Sequence, residues 1–240
     1  MALYAIGDLH LSLGADKSME VFGEAWQGYV GKIETALSAL NEDDVLVLAG
    51  DTSWGIDLAQ AEPDFRFLDR FPCKKYLVKG NHDYWWGTAS KMKAFFREKG
   101  ITTLDFLHNN CQFYGDYALC GTRGWFLDEE GKAHDAKMLN REVLRLETSL
   151  QAAGEREKLC FLHYPPLYQG YECPQILALL EKYRVRLCCY GHLHGPTIRR
   201  RVEGRRGGVD YALISADAMG FQLKKICPDP QEKRDLSIPK

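Results

Sequence analysis

No stretch of this 240-residue chain is apolar for long enough to cross a bilayer, and it contains neither an internal repeat nor a low-complexity tract. The first residues, Met1 to Ile6, run straight into Gly7-Asp8. They lack the basic flank, longer apolar run and small-residue cleavage site of a secretory signal, so a cytoplasmic protein without membrane contact is expected. Among the eight cysteines there is no Cys-x-x-Cys pair, which disfavours a structural zinc ribbon. Cys120, Cys160, Cys188 and Cys189 instead fall in apolar runs, where reduced thiols behave as small core hydrophobes. An excess of charge of one sign is missing too. With 31 Lys and Arg against 33 Asp and Glu the net charge is −2, so bulk charge gives no reason to expect a coat of nucleic acid or a membrane surface. What remains is an ordinary globular composition, 45% hydrophobic, in a length that suits one domain. Nothing in it fixes an oligomeric state.

Short apolar runs bounded by turn residues predict buried strands at Leu3–Ile6, Val45–Ala49, Tyr76–Val78, Tyr117–Cys120, Leu159–Leu162 and Leu187–Tyr190. Helical spacing of three and four lies between them. Gly28–Leu40 carries Val30, Ile33, Leu37 and Leu40, and Asp135–Ala152 carries Leu139, Val143, Leu146 and Leu150. Thr88–Lys99 has Thr88 as cap and Gly100 as stop. In Asp57–Phe71 the Glu62-Pro63 step predicts a break or restart. After His194, Thr197–Val202, Val209–Ser215 and Gly220–Ile226 alternate like antiparallel strands, with a turn around Glu203-Gly204. The expectation is an α/β domain over residues 1–227 with two packed sheets flanked by helices. A charged tail, 228–240, adds little to its core.

The most informative residues stand at the strand ends. Apolar runs lead into Gly7-Asp8-Leu9-His10, Gly50-Asp51, Gly80-Asn81-His82-Asp83, Gly121-Thr122-Arg123, His163-Tyr164-Pro165 and Gly191-His192-Leu193-His194. Five of the seven histidines fall in these segments, a distribution that scattered structural histidines would not produce. In an open α/β sheet, ligands bind beyond the carboxyl ends of the strands. Glycine there lets the backbone turn or approach closely while the next side chain projects over the sheet edge. Asp8 and His10, and again His192 and His194, are two apart, so in extended backbone each pair points to one side. Carboxylate, imidazole and amide oxygen without thiolate suit Mn, Fe or Zn. A pair of divalent ions about 3.5–4 Å apart needs a shared ligand, for which Asp51, with two oxygens and a charge, is the best candidate.

In order and content these motifs resemble the set of the calcineurin-like metallophosphoesterases, over residues 7 to 195. The resemblance implies a four-layer α/β/β/α sandwich of two mixed sheets flanked by helices. It also implies two metal ions, one held by Asp8, His10, Asp51 and His194 and the other by Asp51, Asn81, His163 and His192. It implies hydrolysis of phosphomonoester or phosphodiester bonds by in-line attack of a hydroxide bridging the metals. His82 then stabilises the transition state or protonates the leaving oxygen, with Asp83 orienting His82 or simply capping the turn before Tyr84. A small-molecule or nucleotide substrate is favoured. A nuclease of the same fold, or a non-catalytic protein-binding scaffold, is the alternative.

Other residues leave two readings open. Arg123 either pairs bidentately with a substrate phosphate or is a surface arginine. Trp54, Tyr84, Trp85, Trp86 and Trp125 either wall the pocket or pack elements together. Arg199, Arg200, Arg201, Arg205 and Arg206 read as a solvated hairpin more readily than as a nucleic-acid track, because no aromatics interleave them. His108 and His134 read as surface or capping residues.

Overall fold

The computed structural model describes residues 1–125 and 133–227; the side chain of His134 and the tail 228–240 lie outside the described residues. Thirteen strands are described among them. They are β1 (Leu3–Ile6), β2 (Val45–Leu48), β3 (Lys74–Leu77), β4 (Leu104–Phe106), β5 (Cys111–Tyr114), β6 (Tyr117–Thr122), β7 (Glu157–Leu162), β8 (Leu167–Tyr168), β9 (Tyr171–Glu172), β10 (Leu187–Tyr190), β11 (Gly204–Arg206), β12 (Val209–Leu213) and β13 (Lys224–Cys227). The α-helices are α1 (Tyr29–Ser38), α2 (Leu58–Asp69), α3 (Ala89–Lys99), α4 (Ala133–Ala152) and α5 (Pro174–Lys182). One sheet runs β13-β1-β2-β3-β4 and the other β11-β12-β10-β7-β6-β5, with β8-β9 a separate hairpin. Both large sheets are mixed, because β13, β5 and β11 are antiparallel edge strands on otherwise parallel sheets.

Side-chain alternation explains the four layers. Along a strand, successive residues face opposite sides. Ile6, Leu46 and Leu48 face α1, α2 and α3, where they meet Ile33, Leu37, Phe65, Leu68, Met92 and Phe96. Their neighbours Leu3, Ala5, Val47 and Ala49 face the second sheet and pack on Leu119, Leu159, Phe161 and Cys189. Cys120, Cys160, Leu162, Cys188 and Tyr190 face the opposite way, against Leu146, Leu150, Ile176 and Leu180 of α4 and α5. Three apolar interfaces between four layers make the α/β/β/α sandwich. Cys73, Cys120, Cys160, Cys173, Cys188 and Cys189 are free and buried, as their apolar settings require, and Cys111 is free and half-buried.

Three expectations need correction. First, α2 passes through Pro63 without a break. Asp57 caps it by accepting from the Gln60 amide, and buried Ala61, Phe65 and Leu68 hold it to the sheet. That packing outweighs the one backbone bond that proline cannot donate. Second, 197–202 forms no strand: Gly195–Arg200 is a 3-10 helix opened by Pro196. Third, β12 lies parallel to β10, and its hairpin with β11 turns at Gly207-Gly208 rather than at Glu203-Gly204. Paired glycines at positive φ supply that turn.

Topology also decides where chemistry can collect. β1, β2 and β3 run parallel, as do β6, β7 and β10. Gly7 bridges the two sheets, donating its amide to the Ile214 carbonyl and pairing with Ser215. The carboxyl ends of both sheets therefore meet at one edge.

Candidate metal centre

Three of the six motif segments leave their strands by a strained step. Asp8, His10, Asp51 and His192 all have positive φ, between 47° and 69°, a region that non-glycine residues seldom adopt. The expectation that Asp8 and His10 share a side of extended backbone is therefore corrected: left-handed turns, not strand alternation, aim them. The glycines answer to space as much as to turning. A Cβ on Gly191 would stand 2.6 Å from Asp8 Oδ2, and one on Gly80 would collide with Asp51 Oδ1 and its amide nitrogen. The two loops can close on those carboxylates only without side chains of their own.

Residues from five strand ends converge here. Asp8, Asp51 and His163 each offer a donor atom within 4.8 Å of the others, and all three are buried. Asp51 Oδ2 is 3.7 Å from His10 Nε2 and 3.5 Å from His163 Nε2, and it has no hydrogen-bond partner. Neither ring nitrogen of buried His10 has one either. Asn81 Oδ1 lies 2.6 Å from His163 Nε2 and 3.1 Å from His192 Nδ1. The His194 ring stands edge-on to His10 at 5.3 Å. All seven residues expected as ligands thus come together. Buried polar atoms are normally paired, so orphaned donor atoms this close together form a cluster that could hold a metal ion. The donor chemistry fits divalent metals.

Electrostatics agree. Burial pushes the Asp8 carboxyl up to about 8 and the Asp51 carboxyl well above the usual range, and it pushes the His10 and His163 imidazoles well down. For the two acids, a folded pKa above the unfolded one contributes stability that is fully present below about pH 4 and lost as pH rises through the folded value. The lowered imidazoles act in the opposite sense, but only below about pH 6.5, since above it they are neutral in both states. Between about pH 6.5 and 8 the carboxylates therefore dominate. We expect chelator-treated protein to melt at falling temperature across this window. Excess Mn²⁺ should raise Tm more at pH 8 than at pH 6.5, because cations take the place of the bound protons. A flat Tm in chelator with the same Mn²⁺ shift at both pH values would contradict a buried carboxylate pair.

The expectation that Asp83 orients His82 is also corrected. The buried Asp83 carboxylate accepts from the amides of Gly80, Asp51, Thr52 and Ser53 and from the Trp85 indole, at 2.7 to 3.3 Å. It locks the Gly50 and Gly80 loops together, and the His82 Nδ1 has no partner. His82 itself is tied in through its backbone, whose amide donates to Asp51 Oδ1 at 2.8 Å.

The aromatics divide between the two readings. Trp85 and Trp86 are buried in the helix-side core, Trp85 against Phe65, so they pack α2 and α3 to the sheet. Trp54 belongs to the site: it stacks on His10 at 4.8 Å and lies 4.4 Å from His82. Tyr84 is exposed, 6.1 Å from His82. Arg123 is only 13% exposed, paired with Glu142 at 3.6 Å and lying over Trp125 at 4.5 Å, so it is no surface arginine. His108 is half-buried against Trp86 at 5.6 Å, which corrects its reading as a surface or capping residue.

Sequence reasoning missed Trp26, edge-on to His10 at 6.0 Å, and Lys17, whose ammonium lies 3.4 Å over the Trp54 ring. It also missed Asp217, which accepts from the Gly195 amide. Tyr164, 4.6 Å from the His192 ring, had a signal in its place directly after His163. Lys17 and Trp26 had none, because they sit in the long β1–α1 connection outside any motif.

Comparison with known proteins bears on this geometry. Residues 1–196 match the family model described as calcineurin-like phosphoesterase. A 3',5'-cyclic adenosine monophosphate phosphodiesterase, CpdA of Vibrio vulnificus (strain CMCP6), is 27% identical over 173 residues, covering 70% of this chain and 57% of that protein. The chain thus spans a little over half the length of that relative. Among solved structures, the protein of unknown function AQ665 from Aquifex aeolicus aligns with a TM-score of 0.52 at 15% identity, covering 99% of both chains. TT1561 of Thermus thermophilus aligns with a TM-score of 0.51 at 13% identity, covering 92% of this chain and 96% of the other. At such identity these two speak for the fold alone.

Proposed function

The chain belongs to the calcineurin-like phosphoesterase family, and from that premise we propose that it is a metal-dependent hydrolase of phosphate esters working with a pair of divalent ions. One observation carries the proposal: the unpartnered Asp51 Oδ2 lies between His10 Nε2 and His163 Nε2, at 3.7 and 3.5 Å, where a carboxylate can serve two cations at once. Asp8, His10, Asp51 and His194 would hold one ion; Asp51, Asn81, His163 and His192 would hold the other. Mn, Fe or Zn suits these donors. When bound, such a pair supplies a nucleophile at neutral pH and neutralises phosphate charge.

The chain's own residues do the rest. Burial, then repulsion from Lys17, pushes the His82 pKa down to about 4, so before substrate arrives its ring is neutral and carries one N–H. Against a phosphoryl or leaving oxygen that N–H donates a hydrogen bond, and the substrate's negative charge offsets Lys17 and favours a proton on the ring. Trp54, stacked on His10 and close to His82, keeps water from one side of both. Asp83 fixes the two loops that carry Asp51, Asn81 and His82.

A phosphorylated small molecule or nucleotide is the substrate class we favour, and the activity named for the Vibrio relative supports a diester. Arg205 and Arg206 flank a turn that precedes β12, at the edge opposite the donor cluster. They pair there with Asp210 and Glu172, which supports a solvated hairpin over a nucleic-acid track. Metal analysis, with a panel of nitrophenyl phosphate mono- and diesters and single-stranded DNA assayed in Mn²⁺, tests the proposal. Two ions per chain and Mn²⁺-dependent ester hydrolysis are expected. Fewer than one ion and no hydrolysis would make the chain a binding scaffold of this fold instead.

A further inference from the structure

The β1–α1 connection brings to the site a positive charge that the metal donors do not explain. Lys17 carries it, and the segment around Lys17 is tied down on both sides. Leu11 forms a bridge with Ser53 and accepts from the Trp54 amide at 2.8 Å, and the Leu13 amide donates to Asp64 at 2.7 Å. A Cβ on Gly14 would collide with the Gln60 carbonyl, so the chain passes there in direct contact with α2. Beyond Lys17, Ser18 caps a single 3-10 turn by accepting from the Glu20 amide, and Met19 is buried. Between these ties the Lys17 ammonium stands 3.4 Å over the Trp54 ring. The same ring is 4.4 Å from His82 and 4.8 Å from His10, so one indole joins the ammonium to the donor cluster. Next to burial, repulsion from Lys17 is the main influence lowering the His82 pKa to about 4, as its closeness requires.

An ammonium on an indole face is common at protein surfaces and by itself means little. Here it stands among donors without acceptors. Trp54 is only 7% exposed, yet its buried indole N–H donates to nothing among the described residues. His82 Nδ1 has no partner either, and among the described residues no carboxylate pairs with Lys17. An indole nitrogen can only donate, so what this group lacks is an acceptor. We propose that Lys17 is a specificity-determining residue: with Trp54 and His82 it holds the anionic oxygen that a phosphomonoester keeps and a diester replaces with a second ester link. A lysine ammonium is a compact point charge on a flexible stem, suited to gripping one oxygen rather than bridging two. Coulomb attraction grows with the charge of the ligand, so a dianion gains more from Lys17 than a monoanion does. This rests on the phosphoesterase reading above, because an ester held at the donor cluster is what brings that oxygen within reach of Lys17.

p-Nitrophenyl phosphate and bis-p-nitrophenyl phosphate share a leaving group and differ by that oxygen. At about pH 8, above the second phosphate pKa near 6, the first is a dianion and the second a monoanion. Their kcat and KM would be measured there in Mn²⁺, and the affinity of inorganic phosphate for the Mn²⁺-loaded protein by calorimetry, for the unmodified protein, Lys17→Gln and Lys17→Arg. The side chain is exposed, so neither substitution disturbs the core. Lys17→Gln is expected to raise KM for the monoester about tenfold, the scale of one charge-assisted contact, and KM for the diester by less than about threefold. Phosphate should bind to it about tenfold more weakly, and Lys17→Arg should bring both the monoester KM and the phosphate affinity back to within about threefold. Equal losses on the two esters, or an arginine variant as weak as the glutamine one, would reduce Lys17 to packing on Trp54 and overturn the proposal. Unchanged phosphate affinity, or hydrolysis of the diester alone by the unmodified protein, would overturn it too. If neither ester is hydrolysed, the phosphoesterase reading fails, and the phosphate affinities still decide whether Lys17 holds an anion.

Discussion

Asp51→Asn is expected to lower the metal content from two ions per chain to fewer than one and to cut ester hydrolysis by about 10³-fold or more, the scale at which single charge stabilisers in water-excluded sites are felt. The reason is local. Asp51 Oδ1 accepts the His82 amide at 2.8 Å, and an asparagine oxygen can keep that bond. The amide –NH₂ then falls where Oδ2 stood between His10 and His163, turning a negative acceptor into a donor that faces the incoming cations. Both ions lose a ligand at once. The fold should survive, because the substitution removes a charge that burial already disfavours. In chelator at pH 8 the variant should melt no lower than the unmodified protein, which separates loss of metal from loss of structure. Metal analysis, turnover and the melt together check this. Retention of both ions, or of full turnover, would remove Asp51 from the shared position.

His82→Ala should act at the other step. Its ring donates to no protein acceptor through Nδ1, and the contact it makes with Asp51 comes from the backbone, which alanine retains. Two ions per chain are therefore expected to remain while kcat falls on the order of 10²–10⁴-fold, the range for a positioned proton donor. The loss should shrink for diesters whose leaving group is a good one, since p-nitrophenolate needs less help to depart than an alkoxide does. Comparing a nitrophenyl with an alkyl ester distinguishes a proton donor from a residue that only packs against Trp54. An equal loss on both esters, or no loss on either, would end the assignment.

The outcome for particular residues shows which inferences a sequence supports. The histidines and carboxylates were identifiable because glycine followed by a ligand-type side chain after a short apolar run recurs along the chain, and chance does not repeat that order. Asp83 misled because its place beside His82 suggests a catalytic partner, whereas its carboxylate is consumed by amides from a loop some thirty residues away. Trp85 and Trp86 are indistinguishable from Trp54 by type and neighbourhood; only burial against Phe65 or stacking on His10 tells packing from pocket. Pro63 should have ended a helix by its own preference, but the buried face of α2 overrode it.

Residue chemistry and chain order, taken alone, determined which donors exist, that oxygen and nitrogen rather than sulfur would meet a cation, and that they emerge at strand ends. Short apolar runs alternating with helical spacing carried two packed sheets flanked by helices, while the count of four layers came from the resemblance of the motifs. The tertiary structure decided which carboxylate oxygen stands unpartnered near His10 and His163, that left-handed turns aim Asp8, His10, Asp51 and His192, and that Trp54 rather than Trp85 stacks on His10. Those are distances between segments remote in the chain. They are set by how two sheets stack and where their parallel edges coincide, which no local run of residues encodes.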